Sequence, residues 1–315
     1  MGRATQEKPY TMPTAARVTA AQQREGFAAF AVAGSRLPPA ERRRKLDRAE
    51  VQQYRFVEGG PDLAAGKHVV LFVHGYNVTS EDALRSFAGF FHRLHTALAG
   101  DQVDMAQVLL LGFTWPGDVG SLHFDGAQDM AHGSGVALYE LAKDLAAAGA
   151  RRLTLVTHSL GAHVGLRALS VLGQRRFSKP PAERPAPFDS VLLLAPAVEN
   201  DVFERPNLAE RYHFPESAFG MRSLNIFASR ADTVLRTAFA TSEFDKALGY
   251  AGPESMGPLA SLSRRVKEVL DDVFAFELHD FSPQSATIIN PALHAHGHSD
   301  YWERQPQLDY YANYV

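Results

Sequence analysis

The chain has 315 residues, of which 45% are hydrophobic and 21% charged, a globular composition that excludes wholesale disorder. Lysine and arginine total 32 against 35 aspartates and glutamates, so the net charge of −3 provides no broad basic surface for nucleic acid or an anionic membrane. The absence of cysteine excludes disulfides and thiolate chemistry, which leaves Ser, His, Asp, Glu or a bound cofactor to carry any reaction.

The first 66 residues are predicted to form a helical extension that precedes an α/β domain over residues 67–315. Residues 15–32 are rich in alanine and predict a helix that packs on the main domain. Residues 39–49 carry charges of both signs at helical spacing, which indicates a solvated helix face.

The apolar stretch of residues 26–34 ends in an alanine-rich string similar to a signal-peptide cleavage site. It starts deep in the chain and follows Arg24 and Glu25, so we expect a cytoplasmic protein rather than a secreted one. The sequence has no run of 18 or more apolar residues, so no membrane span is predicted.

From residue 67 onward, short apolar runs alternate with helical segments. The runs are mostly unbroken, which is typical of strands buried on both faces of a parallel sheet. They occupy residues 69–73, 108–113, 153–156, 191–194, 224–227 and 273–276. Helices are predicted over residues 81–98, 127–148, 160–172, 233–239 and 262–270. This order predicts an α/β fold with a doubly wound, mostly parallel sheet, whose functional residues follow the carboxyl ends of the strands.

The strongest chemical signal is the segment THSLG at residues 157–161, which lies between a predicted strand and a predicted helix. This context is the one required of a nucleophile elbow, and it makes Ser159 the candidate nucleophile. Gly161 provides the small neighbour that a tight turn needs, whereas Thr157 stands where the usual Gly-x-Ser-x-Gly pattern has its first glycine. A serine that simply caps the following helix is the alternative.

The segment HGYN at residues 74–77 follows another buried strand. The backbone N–H groups of Tyr76 and Leu160 are therefore predicted to form an oxyanion hole. His74 is either a base or, as its position at the strand end favours, a structural hydrogen-bonding residue. The residues expected to line the substrate pocket are His74, Asn77, Trp115 and His158. For Trp115 the alternative is a core aromatic residue.

A serine nucleophile needs a base and an acid that orients the base, and on this fold the chain order is Ser, Asp or Glu, then His. Asp232 follows the predicted strand at residues 224–227 and is the candidate acid, with Asp201 as its rival. His298 follows Gly297 in the last loop and is the candidate base.

The histidines at positions 294, 296 and 298 also permit a different interpretation, because alternate residues of a strand share one face and can bind a metal ion. A second ligand cluster and a His-Glu-x-x-His motif are both missing from the sequence. We therefore predict neither a metal nor a cofactor.

Several of these segments together resemble a bacterial alpha/beta-hydrolase family of unassigned function, related in fold to esterases and lipases. The resemblance covers roughly residues 67–302 and rests, in order, on FVHGYNVTSEDALR, GFTWPG, THSLGAHVGLRAL, LLLAPAVENDVF, FASRADTVLRTA and GHSDYW. It implies Ser159 as nucleophile, Asp232 as acid and His298 as base. The chain departs from the family at Leu160, where methionine is common, and at Ala197, where aspartate is common.

The chemistry predicted from these residues is acyl transfer to water. We expect a small-molecule carboxylic ester or thioester as substrate, because these have better leaving groups than amides, and no nucleic acid partner. The alternatives are a binding or scaffolding protein that kept the hydrolase fold, and a serine peptidase on the same fold. The acyl chain length and the oligomeric state are left open.

Overall fold

The computed structural model describes residues 11–24, 30–36, 52–118, 124–204, 212–239, 246–288 and 290–315. The described strands are β1 (Phe30–Arg36), β2 (Gln53–Phe56), β3 (His68–Val73), β4 (Val108–Thr114), β5 (Arg152–His158), β6 (Ser190–Leu194), β7 (Ser223–Ala228) and β8 (Ala275–Asp280). The described α-helices are α1 (Ala15–Arg24), α2 (Ser80–Gly100), α3 (Phe124–Ala147), α4 (Gly161–Ser178), α5 (Leu248–Ala251), α6 (Gly257–Leu270), α7 (Asp300–Glu303) and α8 (Gln305–Tyr311). A π-helical turn spans Leu235–Phe239, and short 3₁₀ helices lie at Pro61–Ala64, Met105–Gln107, Pro181–Glu183, Pro215–Gly220 and Pro291–Leu293.

The strands form one sheet in the order β2-β1-β4-β3-β5-β6-β7-β8. Only the pairing of β1 with β2 is antiparallel, and every other neighbouring pair is parallel. The α/β fold with a mostly parallel sheet is therefore confirmed. Since β3, β5, β6 and β7 are parallel neighbours, their carboxyl ends meet at one edge, where the candidate site residues follow them.

The central strands are apolar along their whole length because helices cover both faces of the sheet. In β3 the side chains of Val69, Leu71 and Val73, which point to one face of the sheet, are fully buried. The residues between them, which point to the other face, are equally buried. Helix α2 begins after Thr79, whose hydroxyl accepts a hydrogen bond from the Asp82 N–H at 3.1 Å. This helix packs close to the sheet because Gly112 of β4 has no side chain to meet the ring of Phe87.

The predicted helix over residues 15–32 is wrong in its second half. Helix α1 ends at Arg24, and strand β1 begins at Phe30 and pairs in parallel with β4. A short apolar run fits a buried strand as well as a helix, and pairing with the sheet overrides the helix propensity of alanine.

The extension before residue 66 thus contains two strands of the main sheet as well as a helix. Residue 66 as a domain boundary stays a prediction, and the charged helix predicted at residues 39–49 lies outside the described residues.

The later predicted elements agree with the structure apart from their ends. The last strand is displaced: it spans Ala275–Asp280 and not residues 273–276. Val273 is 62% exposed and follows a turn in which Asp271 has a φ of 52°. In the described part of the chain, none of the helices combines the length and the apolar character that crossing a bilayer would require.

Candidate active site

Ser159 lies in the sharp turn between the end of β5 and the start of α4. Its φ of 55° is in the left-handed region, which a serine adopts only when its surroundings impose it. Its N–H donates to the Leu194 carbonyl at 3.0 Å, and its carbonyl accepts from the N–H groups of Ala162 at 3.0 Å and Ala197 at 3.1 Å. These bonds to β6, to α4 and to the segment after β6 hold the strained backbone in place.

The turn is tight enough to exclude side chains at two neighbouring glycines. A Cβ atom at Gly161 would lie 2.5 Å from the His74 carbonyl oxygen, and one at Gly75 would lie 2.8 Å from the Ser159 Cβ. The end of β3 therefore passes directly against the serine.

Thr157, which departs from the usual elbow pattern, packs against a glycine of α4. A Cβ atom at Gly165 would lie 2.8 Å from the Thr157 Cγ2. The helix therefore approaches β5 closely because Gly165 is small, and the larger residue on the strand is accommodated. In the sequence, the glycine at position 165 on the predicted helix is the signal for this close approach.

Asp232 and His298 are in direct contact. The Nδ1 atom of His298 lies 2.7 Å from Oδ2 of Asp232, whose side chain is fully buried. The second oxygen, Oδ1, accepts the N–H of Leu235 at 3.0 Å. The pKa of Tyr301 is raised well above its usual value, mainly by burial and to a smaller extent by the nearby Asp232 carboxylate. This buried phenol therefore stays neutral beside the carboxylate.

The loops that carry this pair are tied to each other. The Ser229 hydroxyl donates to the Ala295 carbonyl at 2.7 Å, and the Arg230 N–H donates to the Ser282 hydroxyl at 2.8 Å. These bonds join the loop after β7, which carries Asp232, to the chain after β8, which leads to His298. The relative position of carboxylate and imidazole is thereby restrained.

His158, one of the residues expected to line the pocket, contacts the candidate base. Its Nε2 lies 2.8 Å from the His298 carbonyl oxygen, and the two ring centroids are 4.7 Å apart. Burial, and then the proximity of His298, lower the pKa of His158 to about 3, so the ring is neutral and its Nε2–H donates to that carbonyl. Since Ser159 follows His158 directly, this bond links the serine turn to the loop of His298.

The loop after β3 is fixed by an interaction between His74 and Trp115. Their rings stack at 5.7 Å, the Trp115 Nε1–H donates to the His74 carbonyl at 2.8 Å, and the Trp115 backbone N–H donates to His74 Nε2 at 3.2 Å. His74 Nδ1–H then donates to the Gly75 carbonyl at 2.9 Å. Burial lowers the pKa of His74 to about 4, which keeps this arrangement neutral.

The expected pocket residues therefore differ in position. Trp115 is fully buried and His74 is 2% exposed, so they support the loop from inside and do not offer a surface to a substrate. Asn77 is exposed, with a φ of 55° and its N–H donated to the Gly117 carbonyl at 2.9 Å. Tyr76 is half-buried, with its ring 5.5 Å from that of Phe124 in an edge-to-face contact.

The three alternating histidines do not share a strand face. His298 Nδ1 is bonded to Asp232, and His294 Nε2 contacts the Ile288 carbonyl at 3.2 Å. His294 follows a 3₁₀ turn at Pro291–Leu293, so the segment is irregular where the metal interpretation needs a strand. The rival acid Asp201 lies elsewhere, with its carboxylate near Glu199 and His213.

A cavity of about 870 Å³ lies beside the second half of α4, with Phe177, Phe219 and Arg265 among its lining residues. Gly173 in its wall comes twelve residues after Gly161, at a rise of 1.5 Å per residue or roughly 18 Å along the helix. The cavity is therefore remote from the serine turn.

Comparison with known proteins supplies a family. A family model described as an alpha/beta hydrolase of unknown function (DUF900) matches residues 61–266. The search of curated proteins finds no match to this sequence.

Several solved structures are similar to this chain at low identity. The LpqC poly(3-hydroxybutyrate) depolymerase from Bordetella parapertussis is 17% identical, with a TM-score of 0.41 and coverage of 79% of this chain and 78% of that chain. The esterase PE8 is 16% identical, with a TM-score of 0.42 and coverage of 81% and 94%. The esterase LipW from Mycobacterium marinum is 15% identical, with a TM-score of 0.39 and coverage of 79% and 73%.

Proposed function

The chain belongs to the alpha/beta-hydrolase family of unknown function, and on this premise we propose that it is a serine hydrolase that cleaves carboxylic esters or thioesters through an acyl-enzyme at Ser159. The observation that carries the proposal is the 2.7 Å contact between His298 Nδ1 and the buried Asp232 carboxylate. The loop that carries His298 is also hydrogen-bonded to His158, the residue that precedes Ser159 in its strained turn.

The contact with Asp232 determines which nitrogen of His298 acts as base. When Nδ1–H donates to the carboxylate, the lone pair is on Nε2, which is the tautomer that accepts a proton from a serine hydroxyl. His298 then takes the Ser159 proton as the oxygen attacks the acyl carbon, and Asp232 stabilises the imidazolium that forms. General-base catalysis of this type contributes about 10²–10⁴-fold to the rate.

The negative oxygen of the tetrahedral intermediate is bound by the N–H groups of Leu160 and Tyr76. Leu160 precedes the first turn of α4, where helix N–H groups and the helix dipole favour an anion. Within the described residues, no backbone carbonyl accepts the Leu160 N–H, which leaves it available to a ligand.

The reaction is completed in three proton transfers. The imidazolium of His298 protonates the leaving alkoxide or thiolate as its bond to the acyl carbon breaks, which leaves the acyl group on Ser159. Water then loses a proton to His298 and attacks the acyl-enzyme, and the same histidine returns a proton to Ser159 as the carboxylic acid departs.

A substrate panel tests the proposal: short-chain and long-chain nitrophenyl esters, an acyl thioester and a peptide. We expect ester or thioester hydrolysis by the wild type, background rates in Ser159→Ala, and full activity in Ser178→Ala, which removes an exposed hydroxyl at the end of α4. Cleavage of the peptide alone would replace the proposal by a peptidase. A folded wild type that hydrolyses none of the four substrates would overturn it in favour of a binding protein.

A further inference from the structure

A second group of chemically active side chains lies after β6, apart from the serine, histidine and aspartate described above. It consists of the carboxylates of Glu199 and Asp201 and the imidazole of His213. One potential ligand atom from each lies within 4.8 Å of the other two. We name these residues the Glu199 cluster.

The backbone around the cluster is closely hydrogen-bonded. The Val202 N–H donates to the Glu199 carbonyl at 3.2 Å, and the Glu204 N–H donates to the Asp201 carbonyl at 2.7 Å. The Phe214 N–H donates to the Val202 carbonyl at 2.8 Å, which holds His213 beside this turn. Among the described residues, these backbone hydrogen bonds therefore hold residues 199–204 beside residues 213–214.

The orientation of His213 suits a metal ligand. Its side chain is fully buried, and its Nδ1 lies 3.3 Å from the Glu204 carbonyl oxygen, to which an Nδ1–H donates. The other nitrogen, Nε2, lies 3.7 Å from Glu199 Oε2. Histidines that bind metals through one nitrogen usually donate the other ring N–H to a carbonyl or carboxylate in this way.

From this geometry we infer that the Glu199 cluster binds a divalent transition-metal cation such as Zn²⁺. Ligand atoms about 2.1 Å from one zinc ion are separated by roughly 3.4 Å at the tetrahedral angle, so small side-chain movements bring the cluster into range. An imidazole with two carboxylates favours Zn²⁺ over Mg²⁺ and Ca²⁺, which prefer oxygen ligands alone.

The cation would stabilise the segment that follows β6 and would take no part in the proposed ester cleavage. It would connect residues 199–201 to residue 213, whereas Ser159, Asp232 and His298 contribute no ligand. The same segment contains Ala197, whose N–H donates to the Ser159 carbonyl at 3.1 Å. Its stabilisation would therefore restrain the nucleophile turn from one side.

Isothermal titration of the full chain with ZnCl₂, after removal of metals with a chelator, tests the inference. We expect the titration to give one bound ion per chain. We expect thermal unfolding to show a higher melting temperature with zinc, because the ion binds the folded state preferentially. We expect His213→Gln, Glu199→Gln and Asp201→Asn each to weaken binding at least about tenfold, since each removes a ligand. His92→Gln on α2 is the matched control and should bind as the wild type does.

Circular dichroism establishes that each variant is folded. If His213→Gln does not fold, the two carboxylate variants still test the site. Equal binding of Ca²⁺ and Zn²⁺ would overturn the choice of a transition metal. The absence of any binding by the wild type, or zinc binding that survives all three substitutions, would overturn the site itself.

Discussion

Two histidines of the candidate site, His158 and His298, lie next to each other in space but differ in burial and in hydrogen bonding. His158 is buried and neutral, so it is a fixed hydrogen-bond donor to the His298 carbonyl. The His298 side chain is 17% exposed and bonds to the Asp232 carboxylate through Nδ1, which directs Nε2 away from the acid. In the proposed mechanism His158 is therefore a positioning residue, whereas His298 exchanges protons with Ser159 and the substrate.

We expect His158→Ala to lower kcat about tenfold with little change in KM, because one hydrogen bond that positions the base is lost. His158→Gln should restore part of the rate, since its amide N–H₂ can donate to the same carbonyl. Steady-state kinetics on the best ester of the panel measure both effects.

The control for this prediction is His296→Ala, which removes an exposed imidazole from the same loop. Full activity of His158→Ala would contradict the positioning role. A loss of activity equal in the alanine and glutamine variants would indicate that packing rather than hydrogen bonding matters.

At the scale of the elements, the close approach of α4 to β5 is the feature that allows a threonine at the start of the elbow. The methyl group of Thr157 fills the space left by Gly165 on the helix, 2.8 Å from where a Cβ would stand. Gly161, by contrast, faces the backbone carbonyls of β3, which cannot move aside as a side chain can.

This packing predicts a strong coupling between positions 157 and 165. We expect Gly165→Ala alone to destabilise the fold by about 1–3 kcal/mol through overpacking. In a Thr157→Ala background the same change should cost less or stabilise the fold, because the methyl group is gone and alanine favours a helix. Denaturant unfolding of the two single variants and the double variant gives the coupling energy, and additive effects would contradict the contact.

Elements that depend on local sequence patterns are predictable from the sequence, whereas those that depend on contacts between distant residues are not. The apolar runs of β3 and β6 predict strands because both faces of a parallel sheet are buried. The strand-to-helix context of Ser159 is likewise local. Strand β1 is not predictable from its own residues, because its run of Phe, Ala and Val becomes a strand only by pairing with β4, far along the chain. The contact of His158 with the His298 carbonyl joins residues 140 positions apart and leaves no local pattern.

Across the whole molecule, burial keeps several histidines neutral in the folded state. It lowers the pKa of His68, His74 and His279 to about 4, and that of His158 to about 3. In the unfolded chain these groups take up protons near pH 6.5. Between pH 6.5 and about 4 the unfolded state therefore binds more protons, so the free energy of unfolding falls as the pH is lowered.

We expect the stability to be greatest above about pH 7 and to decrease toward pH 4, by up to about 1.4 kcal/mol per pH unit for each such histidine. His279→Gln should reduce the slope by about one proton, because glutamine does not titrate but can bond to Asn225, which lies 3.2 Å from His279. The exposed Glu277 carboxylate, 3.9 Å away, does not offset the burial of His279. Denaturant unfolding at several pH values measures the slope, and an unchanged slope in the variant would contradict this assignment.

The proposed nucleophilic role of Ser159 is best tested by reaction of the folded protein with a fluorophosphonate, followed by mass spectrometry to locate the modified residue. We expect one adduct, on the Ser159 hydroxyl, that is absent in Ser159→Ala and forms far more slowly in Asp232→Asn, where the imidazole is no longer held by a carboxylate. An unmodified wild type, or an adduct on another residue, would contradict it.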